Sequence, residues 1–211
     1  MPRIPDSGSI GEVSARSRRA AVEALNRNLQ GADPGDGDWA RDIETALLAA
    51  AFDSVLGPDP AHRTDNLRRL GQFTELVAEG SADLNLVSRR GGRELLIQLL
   101  VDSLAPLVLL PELFSQAPSR AVDVGSGAGF PALPLAILCP GVEFSCVEAT
   151  AKRAAFLGET CQRLGLSNVV CERARAEDLG RTVGWRDRFD LGFAKAVGSL
   201  AYVAEVLLPL D

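Results

Sequence analysis

Two periodicities divide this chain near residue 119. Before it, apolar residues recur every three or four positions, the mark of helices with one buried face. Trp39–Leu56 carries Ile43, Leu47, Leu48, Ala51, Phe52 and Val55 in this way, and about Thr64–Glu79 carries Leu67, Leu70, Phe73, Leu76 and Val77. Between them, Leu56–Pro60 reads as a helix break, with Gly57, Pro58 and Pro60. A third helix is predicted over about Glu94–Leu110. Gln98, Asp102 and Ser103 interrupt its apolar run, so it reads as a buried helix and not as the roughly 18 uninterrupted apolar residues of a membrane span. Asn85–Arg93 is polar and basic and reads as an exposed loop. Upstream, Met1–Ser9 reads as disordered, Glu12–Leu29 as a thinly amphipathic helix and Gly31–Asp38 as an acidic glycine-rich linker.

After residue 119, short apolar runs alternate with helical segments. Strands are predicted at Ala121–Val124, Glu143–Val147, Val169–Cys171 and Phe189–Ala194. Helices are predicted over about Ala132–Leu138, Ala151–Leu164 and Leu200–Leu208, with Gly165 closing the second. Such alternation implies a parallel sheet with right-handed crossovers and helices on both faces. The expected layout is a flexible segment over 1–38, a helical subdomain over 39–118 and an α/β domain over 119–211.

The first strand runs into Gly125, Gly127 and Gly129, and Glu148 follows the second strand about 20 residues on. Glycines permit a tight turn and close approach of a ligand, and a carboxylate at that distance can accept from ribose hydroxyls. The spacing G-x-G-x-G lacks the third glycine position of the dinucleotide fingerprint, and no P-loop lysine follows. Asp123, separated from the first glycine by Val124, completes an acid–glycine–acid arrangement suited to S-adenosylmethionine (SAM). Ligands of open α/β sheets lie at the carboxyl ends of the strands. Gly125, Glu148, Ala176–Glu177 and Lys195 all fall there.

Composition narrows the chemistry further. One histidine, His62, and no C-x-x-C pairing among Cys139, Cys146, Cys161 and Cys171 argue against a zinc site. No secretory signal is recognisable, so a cytoplasmic protein with free thiols is expected, and no membrane association. The net charge is −6, but it is unevenly spread. Residues 1–84 hold nine basic against fourteen acidic residues, and the remainder thirteen against fourteen. The basic residues of the second part cluster, as at Arg89, Arg90 and Arg93 and at Lys152 and Arg153, and local patches govern phosphate binding more than net charge does.

With these residues identified, the chain resembles the bacterial 16S ribosomal RNA guanine-N7 methyltransferases, the glucose-inhibited division protein B family. The resemblance rests on NLVS at Asn85–Ser88, Asp102–Ser103, VDVGSGAGFPALPLAI, EATAKRAAFL at Glu148–Leu157, RAEDL at Arg175–Leu179 and FDLGFAKA at Phe189–Ala196. It implies a Rossmann-like class I SAM-dependent methyltransferase sheet with an N-terminal helical extension, and further strands beyond Asp211. It also implies methyl transfer to N7 of a guanine in 16S rRNA, with 16S rRNA or the small ribosomal subunit as partner. A monomer is the expected state. Position by position, it sets SAM against Gly125, Phe130, Ala176, Glu177 and Lys195, beside Glu148. Asn85, Arg89, Arg90, Lys152 and Arg153 are the implied RNA contacts, and Asp123 is the one candidate catalytic group. The chain departs from the family pattern at Lys195, where arginine is usual, and at Gln98 and Leu99, where an Arg-His pair is usual. These departures keep two alternatives open: a domain that binds SAM or RNA without turnover, and a methyltransferase for a small molecule or protein.

Overall fold

The helices of the first part begin where side chains can cap them. The computed structural model describes residues 38–49, 52–88, 92–115 and 119–210. The expected helix Glu12–Leu29, most of the linker Gly31–Asp38, and Arg89 and Arg90 therefore lie outside the described residues. Helix α1 (Trp39–Ala49) starts at Asp38, whose Oδ1 accepts from the backbone N–H groups of Ala40 and Arg41 at 3.0 and 3.2 Å. It ends earlier than the apolar spacing predicts. A 3₁₀ turn over Asp53–Leu56 replaces the expected continuation, and Phe52 N–H reaches back to the Leu47 carbonyl at 2.8 Å. The turn buries Phe52 and Leu56, and Arg63 and Asn66 donate to its Asp53 and Leu56 carbonyls.

Helix α2 (Pro60–Leu84) is longer at both ends than predicted. Pro60 does not break it. At the first helical position proline forfeits no hydrogen bond, and Asp59 Oδ1 caps Ala61 N–H at 2.8 Å. Asn85, in the left-handed conformation at φ 48°, closes the helix. Helix α3 (Gly92–Leu109) buries Leu96, Ile97, Leu100, Val101 and Leu104. The buried Ser103 hydroxyl donates to the Leu99 carbonyl at 2.6 Å, which removes the cost of a hydroxyl in the core. A short turn of helix, α4 (Glu112–Ser115), leads to the sheet.

The sheet is parallel, in the order β3-β2-β1-β4, from β1 (Ser119–Val124), β2 (Val142–Val147), β3 (Val169–Glu172) and β4 (Leu191–Ala194). Helices α5 (Ala132–Leu138), α6 (Ala151–Leu164), α7 (Ala176–Leu179) and α8 (Leu200–Leu207) connect or follow the strands. Alternation along β1 and β2 separates two cores. Ala121, Phe144 and Cys146 join one cluster that includes residues of α1, α2, α3, α5 and α6. Val122, Val124 and Val147 join a smaller one with Ala176, Leu179, Phe189 and Val206. The helical segment from Trp39 onward thus shares its core with one face of the sheet. Phe189 stands outside β4, because its N–H goes to the Leu210 carbonyl and not to the ladder. Among the described residues, no helix is long and apolar enough to cross a membrane, and no group of side chains is arranged to hold a metal ion.

Candidate functional site

Strand β1 lies between β2 and β4, so the chain reverses direction across the sheet at the β1/β4 gap. In open α/β sheets the ligand crevice lies at the carboxyl ends of the strands at such a point. The glycine turn stands at that edge of the sheet. Gly125 (φ +71°) and Ser126 both donate to the Val147 carbonyl, at 2.8 and 3.2 Å, bending the chain over the end of β2. Gly129 serves packing: at φ +95°, a Cβ there lies 2.7 Å from Leu133 Cδ1, so only glycine lets α5 approach the turn.

Glu148 ties the turn to β2. Its Oε2 accepts from Gly127 N–H at 3.1 Å and its Oε1 from Thr150 N–H at 2.7 Å, and the residue is buried. A carboxylate has about four acceptor directions, so two remain for a ligand. The predicted ribose contact therefore belongs to a residue that also holds the loop. Glu148→Ala is expected to lower folding stability by about 1–3 kcal/mol, because two N–H groups lose their acceptor. Thermal unfolding without ligand checks this, and an unchanged melting temperature would refute the structural role.

Asp123 is 1% exposed, and neither of its carboxylate oxygens has a hydrogen-bond partner. The neighbouring Ser126 hydroxyl donates instead to the Asp123 backbone carbonyl at 2.8 Å. Burial pushes the Asp123 carboxyl up to about 8, against the opposing influence of Ser126 and the positive charge of Lys195. Lys195, just past β4, is half-buried. Its Nζ lies 3.5 Å from the Leu99 carbonyl and 5.4 Å from the centroid of the Phe130 ring. Phe130 itself is buried and meets Phe73 edge-on at 5.0 Å, so its ring is part of the core between α2 and the glycine turn.

Asp123, Gly125, Glu148 and Lys195 thus gather at the ends of β1, β2 and β4. Ala176 and Glu177 open α7, past β3; Ala176 is buried, and Glu177 Oε1 accepts from the Tyr202 hydroxyl at 2.7 Å. That hydrogen bond holds the Glu177 carboxyl below its ordinary range. Asn85 and Lys152 are exposed and Arg153 half-buried. Asp83, Leu84 and Lys152 line one groove of about 480 Å³, which sets the end of α2 beside the start of α6. Sequence reasoning missed Val197. Ala196, at φ +58°, turns the chain so that Val197 covers Gly125, whose Cβ position is 2.8 Å from Val197 Cγ2. A β-branched residue three positions past a strand carries no signal of such a role.

Comparison with known proteins assigns this arrangement to a family. The profile described as GidB, rRNA small subunit methyltransferase G, matches residues 66–211. The chain belongs to the GidB family. Among GidB relatives, the ribosomal RNA small subunit methyltransferase G of Lactobacillus delbrueckii subsp. bulgaricus is 38% identical over 138 residues, 65% of this chain and 57% of the relative. The protein of the same name from Leuconostoc citreum is 34% identical over 164 residues, 77% of this chain and 68% of the relative. The matched region thus covers little more than half of the Lactobacillus protein. A solved structure, YcgJ from Bacillus subtilis, aligns with a TM-score of 0.41 at 23% identity, over 52% of this chain and 45% of that one. The GidB match encloses every candidate site residue named from the sequence, from Asn85 to Lys195.

Proposed function

We propose that this chain binds SAM at the β1/β4 crevice and transfers its methyl group to N7 of a guanine in small-subunit ribosomal RNA, in the cytoplasm. The observation that carries the cofactor assignment is Asp123, a buried carboxyl with two unpartnered oxygens behind the glycine turn. Buried polar atoms without partners are rare in native structures and call for a ligand or another explanation. The ammonium of the methionine moiety supplies the missing donors. The remaining acceptor directions of Glu148 suit ribose hydroxyls, and the Ala176–Glu177 segment suits the adenine edge.

When bound, SAM supplies an electrophilic methyl group. Guanine N7 carries a lone pair and no proton at neutral pH, so the protein needs no general base. Its own residues orient the reactants and exclude water, and orientation of this kind is worth roughly 7–11 kcal/mol. Lys195 keeps its place among the proposed SAM contacts, bringing a positive charge to the same strand ends as Asp123. The only histidine, His62, is exposed beside Asp59 in the first turn of α2, so it offers no base for a hydroxyl or amine acceptor.

Calorimetric titration with SAM, followed by transfer of labelled methyl groups to small subunits that lack the modification, tests the reading. Binding with turnover is expected. Binding without turnover supports the second reading, a non-catalytic SAM or RNA module, which the departures at Lys195 and Leu99 keep open. Absence of SAM binding by the folded chain overturns the first reading and leaves, of the second, only a module that binds RNA.

The RNA face is proposed to run from Asn85, Arg89 and Arg90 to Lys152 and Arg153. Arg93, expected in an exposed loop, instead lies in α3, its side chain 9% exposed and its Nε donating to Asp42 Oδ2 at 2.7 Å, so it stands apart from that face. Each phosphate contact on a single strand contributes about −0.7 to the slope of log affinity against log salt. Alanine at Arg89, Arg90 and Lys152 together is therefore expected to flatten that slope by about 2, with SAM affinity unchanged. Fluorescence anisotropy at several salt concentrations checks this, and an unaltered slope would place the RNA elsewhere.

A further inference from the structure

We propose that Cys161 and Cys171 form a reversible disulfide when the protein meets a hydroperoxide, with Cys171 oxidised first and Cys161 resolving it. Three of the four cysteines gather beneath α6. Cys146 of β2 and Cys171 of β3 are direct partners in the parallel ladder, so their side chains share a face of the sheet. Cys161, in the last turn of α6, packs onto that face with its Sγ 3.8 Å from Cys171 Sγ. All four cysteines are free thiols, and the proposed cofactor site uses none of them.

The three sulfurs are not equivalent. Cys146 is fully buried and Cys161 is 7% exposed, whereas Cys171 is half-buried on β3, the edge strand of the sheet. A small peroxide therefore reaches Cys171 from the open edge of β3. Hydrogen bonds from the Cys146 and Cys161 thiols favour the thiolate at Cys171 and hold its pKa below the ordinary thiol range. The same contacts, with burial, raise Cys146 and Cys161. The thiolate is the reactive form, so nucleophile and resolving thiol are assigned by position.

The Cys171 thiolate attacks the peroxide O–O bond, forming a sulfenic acid and releasing an alkoxide or hydroxide. The Cys161 sulfur then attacks the sulfenic sulfur. The S–O bond breaks, the thiol proton leaves with the oxygen as water, and two thiols have lost two electrons to one peroxide. Closing the bond to about 2.05 Å requires movement of side chains already in contact.

Trypsin cuts after Arg153, Arg163 and Arg173, which sets Cys161 and Cys171 on separate peptides, 154–163 and 164–173, while Cys139 and Cys146 share 121–152. The full chain is treated with dilute hydrogen peroxide, capped with N-ethylmaleimide and mapped by mass spectrometry. The expected product links 154–163 to 164–173, has lost two hydrogens and disappears with dithiothreitol. In Cys161→Ser, dimedone is expected to trap the sulfenic acid on Cys171. Burial pushes the Cys139 thiol up to about 11, which makes it an internal control. Cys171 is expected to be alkylated by iodoacetamide at least about tenfold faster at neutral pH. Oxidation of Cys139 before Cys171, or a link from 121–152 to 164–173, overturns the proposal. So does the absence of any linked pair in the peroxide-treated native protein.

Discussion

Asp123→Asn is expected to stabilise the ligand-free protein at pH 8 and to abolish SAM binding. The carboxyl has an ordinary value of 3.8 and stands at about 8 in the fold, so the folded state keeps a proton that the unfolded state has released. Below pH 4 both states are protonated and no penalty exists. Between pH 4 and 8 the native state loses stability as pH rises, because the unfolded chain gains ionisation that the buried group cannot match. At about 1.4 kcal/mol per pH unit, the upper bound near neutrality is about 4 kcal/mol. Asparagine escapes this loss but brings amide groups that also need partners, which leaves an expected gain of about 1–3 kcal/mol. Melting curves at pH 5 and pH 8 read the effect, with a gap between variant and parent that is large at pH 8 and small at pH 5. An equal gap at both values would refute the account. In the parent, SAM affinity is expected to rise with pH toward 8, as Asp123 becomes ionised for the ligand ammonium, and the variant is expected to lack that limb.

The second large effect is at Gly125. A side chain there fills space assigned to the cofactor, which on the sequence alone predicts lost binding in an intact fold. The structure corrects the second half of that expectation. The residue sits at φ +71°, where a β-branched side chain is strained, and its Cβ meets Val197 Cγ2 at 2.8 Å. Gly125→Val is therefore expected to lose SAM affinity by at least about 100-fold and stability by about 2–3 kcal/mol. Adding Val197→Ala removes the collision and recovers part of the stability without restoring binding. Calorimetry and thermal unfolding on the same samples separate the two losses, and unchanged SAM affinity in a folded Gly125→Val protein would refute the site.

Where local chemistry alone sets an element, the sequence was readable. Helices α5 and α6 match their predicted limits, because cooperative apolar spacing ends at Cys139 in one and at a left-handed Gly165 in the other. Strands β1, β2 and β3 were placed within two residues. Elements defined by partners distant in sequence were harder to read. The Trp39–Leu56 spacing fits one helix, yet Arg63 and Asn66 of α2 stabilise a turn at Asp53–Leu56. Pro60 reads as a breaker unless Asp59 is recognised as a cap. At the crevice, the acids and glycines were visible as types at a spacing. That Phe130 meets Phe73 edge-on, that Val197 covers Gly125 and that Cys161 meets Cys171 depends on contacts between separate elements, which no local pattern encodes.

The central place of β1 has a consequence for how the protein forms. Ala121 pairs with Phe144 on one side and with Leu191 on the other, partners separated from it by about 20 and about 70 residues of chain. Closing the longer loop costs about 1 kcal/mol more in chain entropy. During synthesis from the amino terminus, β1, β2 and β3 can assemble with α2 and α3 while β4 is still to come. The wall carrying Lys195 and Val197 arrives last. A nascent chain therefore acquires most of the larger of its two hydrophobic cores before it acquires a crevice.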